Sequence, residues 1–158
     1  MIQRIQSVFL LLLALSMLAV LFLPLWHKAD PTTGQELTMT ALGFSYNKAG
    51  AGLTPPGNVW LIALFAGASA AVALFEIFQF RNRFTQLRLG MLNLLLILCT
   101  LGAGFYFSTL GEQALNLKML GTYQAGFYLP TLALMLNLLA NRFIRRDERL
   151  VRSMDRLR

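Results

Sequence analysis

Val59-Trp-Leu-Ile-Ala-Leu-Phe-Ala-Gly-Ala-Ser-Ala-Ala-Val-Ala-Leu-Phe-Glu-Ile-Phe-Gln-Phe80 decides the fold of this chain. It holds one acid, Glu76, no base and no proline. Coiled at 1.5 Å per residue, it crosses the roughly 30 Å hydrocarbon layer of a bilayer. Working outward, three more runs of the same kind appear at Val8–Trp26, Leu89–Phe107 and Ala125–Ile144. Little chain is left over. With 56% hydrophobic and 13% charged residues in 158, no separate water-soluble core can be assembled from the remainder. The expected fold is an all-α membrane protein, a four-transmembrane-helix bundle forming one domain over 1–158.

Charge placement orients the bundle. Arg4 precedes span one, Arg81, Arg83 and Arg88 separate spans two and three, and seven arginines, Arg142 to Arg158, stand at and beyond the end of span four. Only Lys28, Lys48 and Lys118 occupy the opposite side, in two longer loops. Lys and Arg are retained in the cytoplasm, so both termini are expected there. The net charge of +7 is mostly this sidedness and not a nucleic-acid signature. Met1-Ile-Gln-Arg followed by an apolar run resembles a signal peptide. The run is long enough to span, however, and His27 stands where cleavage wants a small residue, so span one reads as uncleaved.

The first outer loop, about His27 to Asn58, is some 30 residues long and carries turn signals at Asp30-Pro31 and Thr33-Gly34. Between Glu36 and Tyr46, Thr, Phe and Tyr alternate with polar residues, a composition that fits a short hairpin lying over the bundle. The loop serves either as a passive lid or as a recognition surface. In the second outer loop, Glu112 to Leu120 reads as two turns of interfacial helix, with Leu115, Leu117, Met119 and Leu120 turned to lipid. Trp26 and Trp60, with Tyr106, Tyr123 and Tyr128, mark the outer interface as aromatic anchors.

Ala63, Gly67 and Ala71 recur every four residues in span two, and Gly102, Ala103 and Gly104 lie in span three. Small residues let helix backbones approach closely in lipid, so these are expected to pack span two on span three. Span one, rich in Leu and Phe, reads as the more lipid-facing helix. Pro130 should bend span four and could leave a cavity beside it.

One polar feature stands out. Glu76, Asn93 and Asn137 each lie five residues from a cytoplasmic arginine, on three different spans. Together they are expected to form a polar layer, with Gln6, Gln79 and Asn141 nearer the surface. The structural reading lets the Asn side chains and a snorkelling Arg4, Arg81 or Arg88 satisfy Glu76. The functional reading makes Glu76 a proton or cation carrier. A lone carboxylate near an interface, with no relay partner, favours the first. No catalytic, cofactor-binding or metal-binding motif is present. Cys99 and His27 stand alone and cannot assemble a metal site without several carboxylates.

The tail 145–158 contains no helix breaker. Leu150, Val151, Met154 and Leu157 form an apolar strip among arginines, so a short cytoplasmic amphipathic helix is expected, resting on lipid or docked on a membrane-protein partner. The opening Met1-Ile-Gln-Arg-Ile-Gln6 and the closing Arg145-Arg-Asp-Glu-Arg-Leu-Val-Arg-Ser-Met-Asp-Arg-Leu-Arg158 resemble a family of small four-span inner-membrane proteins of Bacteroidota, domain of unknown function 4293. The resemblance implies a bacterial inner-membrane location and transfers no activity or residue role. The leading expectation is a non-enzymatic accessory, scaffold or assembly component, working with a membrane-protein partner or a second copy of itself. A small transporter or channel element using Glu76 comes next, and a membrane enzyme acting on lipid last. No cofactor and no nucleic-acid partner are expected.

Overall fold

Proline and the apolar runs together set where the helices begin and end. The computed structural model describes residues 2–31, 34–47, 58–79, 82–115 and 118–155, without the side chains of 2–4, 47, 83, 148 and 150–155. Four helices follow the four runs: α1 Ile2–Val20, α2 Trp60–Phe78, α3 Arg83–Ala114 and α4 Ala125–Asp155. They pack in a ring, α1 against α2 and α4, and α3 against α2 and α4. α2, α3 and α4 contain stretches long and apolar enough to cross a membrane, whereas the apolar part of α1, Ile5–Val20, is shorter.

The first expected span runs six residues too far. α1 stops at Val20, and the backbone tightens through Leu21 N–H to Leu18 C=O and Phe22 N–H to Ala19 C=O, at 3.0 and 3.1 Å. Pro24 then forbids continuation, because it lacks an amide hydrogen and pushes Leu23 away from the helical region. Trp26 consequently opens a strand.

A four-stranded antiparallel sheet caps that end of the bundle. β1 (Trp26–Asp30), β2 (Gln35–Met39) and β3 (Phe44–Asn47) come from the first outer loop, and β4 (Thr122–Tyr123) from the second. Their order is β3-β2-β1-β4. The register places Trp26 opposite Met39 and Asp30 opposite Gln35 on one side, and Trp26 opposite Tyr123 on the other. Gly34 closes the β1–β2 turn at φ 67°, a left-handed conformation that other residues resist. The hairpin expected near Glu36–Tyr46 is thus the β2–β3 pair, within a larger sheet. Alternation turns Trp26, Lys28 and Asp30 of β1, with Leu37 and Met39 of β2, toward the bundle.

The second outer loop departs from expectation. α3 runs on to Ala114, so Glu112 lies in its last turn and not in a separate interfacial helix. Leu115 is extended and buried, whereas Met119 and Leu120 are exposed as expected. Leu117 lies outside the described residues.

The small-residue stripe also differs. A side chain added at Gly67 or Gly102 would meet open space, and Ala71 is exposed. The buried face of α2 is Ile62, Ala66, Ser69, Ala70, Ala73 and Glu76. This second small-residue stripe wins because it alone also carries Ile62 and Glu76 inward. Gly104 instead admits the Phe127 ring of α4. α1 is no lipid-facing outlier, since Leu10, Leu13, Ala14, Met17 and Val20 are all core. Pro130 sits inside a continuous α4, and the void beside it, lined by Val20, Thr100 and Phe127, measures only about 10 Å³.

The outside of the bundle inverts the usual pattern. Leu11, Leu15, Leu64, Phe75, Leu95, Leu98, Leu132 and Met135 are exposed, whereas Ser69, Glu76, Asn93 and Asn137 are fully buried. An apolar surface around a partly polar interior suits lipid as the solvent.

Candidate functional site

Two polar centres occupy opposite ends of the bundle. At the end holding the chain termini, α2 and α3 run antiparallel, with Ser69 against Asn93 and Glu76 against Gln86. The Ser69 hydroxyl donates to Asn93 Oδ1 at 2.5 Å, and Gln86 Nε2 donates to the Glu76 backbone carbonyl at 3.4 Å. One turn along α3 from Gln86, the Gly90 carbonyl accepts from Asn137 Nδ2 of α4 at 3.0 Å. Ser69 and Glu76 are seven residues apart, roughly 10 Å of helix. The polar groups are therefore strung along the bundle rather than gathered in one layer.

Neither Asn93 nor Asn137 hydrogen-bonds Glu76, as the structural reading requires. Both Glu76 carboxyl oxygens are buried without a hydrogen-bond partner among the described residues, as are Gln6 Nε2, Asn93 Nδ2, Asn137 Oδ1 and Asn141 Oδ1. Arg88 is not the snorkelling cation either, because its guanidinium lies over the Phe84 ring, 4.2 Å from the centroid. That contact keeps the charge on the helix exterior. Arg81 and the Arg4 side chain lie outside the described residues. Chemically, the arrangement offers one carboxyl group and several amides that can take up a proton, a water or a small cation, but no nucleophile paired with a base.

The second centre was not anticipated. Lys28, read from sequence only as a loop charge, is 2% exposed. Its ammonium donates to Glu112 Oε2 at 2.5 Å and to the Glu112 backbone carbonyl at 3.1 Å. The carbonyl belongs to the last turn of α3, where unpaired C=O groups and the negative helix end attract a cation. Glu112 Oε1 in turn accepts the Gly121 backbone N–H at 2.6 Å. One ion pair therefore ties β1, the end of α3 and the approach to β4. Trp26 packs over it. It is 1% exposed, and a side chain at Gly111 or Gly121 would collide with its indole. Trp26 is thus a core residue and not an interfacial anchor, unlike Trp60, which is half exposed. The sequence signal for this centre was weak. It consisted of an outer lysine two residues from a tryptophan, and an acid beside a glycine.

His27 Nδ1 lies 3.0 Å from Thr38 Oγ1 on the neighbouring strand, a sheet contact. Among the described residues no three His, Cys, Asp or Glu side chains converge. The tail continues α4 as a helix to Asp155. Leu150, Val151 and Met154 lie on the helical backbone of α4, whereas their side chains, and all of Leu157, lie outside the described residues.

The model of the family described as Domain of unknown function (DUF4293) matches residues 2–157. No curated protein and no solved structure matches the chain.

Proposed function

From its membership of the DUF4293 family, which the match over residues 2–157 establishes, we propose that this chain is a four-span, non-enzymatic accessory, scaffold or assembly component of a bacterial inner membrane. The observation that carries the reading is the inverted surface. Leucine and phenylalanine cover the outside of the helices, and Glu76 is fully buried inside, lining neither the void beside Pro130 nor the groove of α3 and α4. Although its apolar core is short, α1 has 19 residues and reaches about 28 Å, so it crosses with the other three. Both termini then face the cytoplasm with eleven of the fourteen basic residues, and the sheet faces outward. A rigid cap outside and a basic helix inside are two surfaces for a membrane-protein partner or a second copy.

Affinity purification of the detergent-solubilised protein, with mass spectrometry of what accompanies it, tests the accessory role. Recovery of the chain alone, from cells that require it, counts against that role. Thiol labelling of single cysteines placed near Gly34 and Ser153, with Cys99 replaced, tests the topology. The position near Gly34 should react from outside intact cells and that near Ser153 should not.

The partnerless Glu76 oxygens favour one second reading, a small transporter or channel element that loads a proton or cation at Glu76. Glu76→Gln separates the two. Normal abundance with lost function would select transport.

A further inference from the structure

α4 carries Leu138, Asn141, Arg142, Arg145, Arg146 and Arg149 at spacings of three and four, so they form one stripe along the helix. Opposite them stand Met91 and Leu94 of α3. Together these eight residues line an open groove of about 680 Å³ at the end of the bundle holding the chain termini. Its two parts differ in chemistry. Met91, Leu94 and Leu138 make an apolar wall continuous with the lipid-facing surface, since Leu139, Leu95 and Met135 beside them are also exposed. The four guanidinium groups begin where that apolar surface ends. Asn141 sits at the junction, packed so closely on Gly90 that a side chain there would collide with its amide. Among the described side chains no acidic one lines the groove, and that of Glu148 is outside them. Asp147 is on the same helix but outside the lining, and it has a polar contact of its own.

We propose that this groove binds an acidic phospholipid, with phosphate among Arg142, Arg145, Arg146 and Arg149 and an acyl chain along Met91, Leu94 and Leu138. The inference rests on the reading of α3 and α4 as membrane spans, which sets the arginines at headgroup depth. Three features favour a lipid over a free anion or an acidic peptide. The charge is graded along the groove and not uniform. The apolar wall opens sideways onto the surface that lipid chains would touch. Guanidinium groups bind phosphate oxygens through two parallel hydrogen bonds, and a free anion or an acidic peptide held there would leave the adjoining apolar wall bare. Four positive charges also exceed one phosphate, so a lipid with two phosphates should bind tighter than one with a single phosphate.

The test uses the full chain purified in a neutral detergent. Native mass spectrometry is run with phosphatidylethanolamine, phosphatidylglycerol and cardiolipin in equal amounts. The expected order of retention is cardiolipin, then phosphatidylglycerol, then phosphatidylethanolamine. R145Q/R149Q should lower cardiolipin retention by roughly 25-fold, about fivefold for each charge removed near the surface. Arg88→Gln, whose residue sits on Phe84 outside the groove, should change it little. Circular dichroism verifies that each variant keeps its helix content, and L138Q gives an independent variant that weakens the acyl wall without altering charge. Equal retention of the three lipids overturns the proposal. So does displacement of the lipid by inorganic phosphate at millimolar concentration, or retention of an acidic polypeptide that competes with lipid for the arginines. If the protein leaves the membrane fraction without detergent, the spanning reading fails and the lipid site with it. If detergent is required and no acidic lipid is preferred, only the lipid site fails.

Discussion

The two ends of the bundle bury polar groups by opposite means. Under the sheet, the Lys28 ammonium and the Glu112 carboxylate satisfy each other, a helix-terminal carbonyl and a loop amide. Toward the chain termini, Glu76, Gln6, Asn93, Asn137 and Asn141 each keep at least one polar atom with no partner among the described residues. A paired centre adds stability and fixes geometry. An unpaired one costs about 1–3 kcal/mol for each lost hydrogen bond and leaves groups free to engage something else. The cap is therefore the structural end, and the terminal half is where ligand or proton chemistry would have to reside.

Truncating the plug at the capped end is expected to have the largest effect. Trp26→Ala removes a buried indole from beneath the sheet and should cost about 4 kcal/mol, read as a lower thermal midpoint of the detergent-solubilised protein. Gly121→Val should act in the same direction by forcing the indole out. A small effect of both would dissolve the contrast between the ends. Next comes Lys28→Met, which takes the cation from the partly hydrated Glu112 carboxylate and from the end of α3, at about 2 kcal/mol. The double variant K28M/E112L should recover much of that loss. No recovery would mean that Lys28 acts through packing alone.

At the other end, Glu76→Leu should leave the midpoint unchanged within about 1 kcal/mol or raise it, because no described hydrogen bond is lost. A large drop would reveal a partner for the carboxyl and make the two ends alike. The smallest effect concerns Tyr46 of β3, whose buried hydroxyl has no hydrogen-bond partner among the described residues. Burial pushes its phenol above the ordinary tyrosine range. A raised folded-state value gives a stability contribution that is intact below the unfolded value and lost as pH rises through the folded one. Tyr46→Phe should change the midpoint little at neutral pH and flatten its fall in the alkaline range.

How well the sequence announced these features depended on their range. The interiors of the helices were legible because a run of apolar residues needs no partner to be recognised. Glu76 was legible because an acid among leucines is conspicuous. What failed was set by pairing across distance. β4 has two residues, Thr122 and Tyr123, and no strand signal of its own, and it exists because β1 offers an edge. Lys28 looked like a surface charge because Glu112 is 84 residues away. The end of α1 was a different failure. Pro24 was visible, but the hydropathy of Leu25 and Trp26 outweighed it. The polar layer failed for a third reason, since equal spacing from an arginine gives equal depth only where the arginines are level, and Asn93 meets Ser69, seven residues from Glu76.

The junction of β1 with β4 also has a consequence for biogenesis. Thr122 meets the His27 carbonyl across 95 residues of chain, so the sheet cannot close while the nascent chain ends short of the second outer loop. At roughly ten residues per second, β1 waits about ten seconds with one edge open. Closure of the cap then reports that α2 and α3 have both been made, because two antiparallel helices bring β4 back to the end of the bundle where β1 lies. Chains that fail this check would expose a free strand edge and an unseated tryptophan, and a quality-control protease could recognise either.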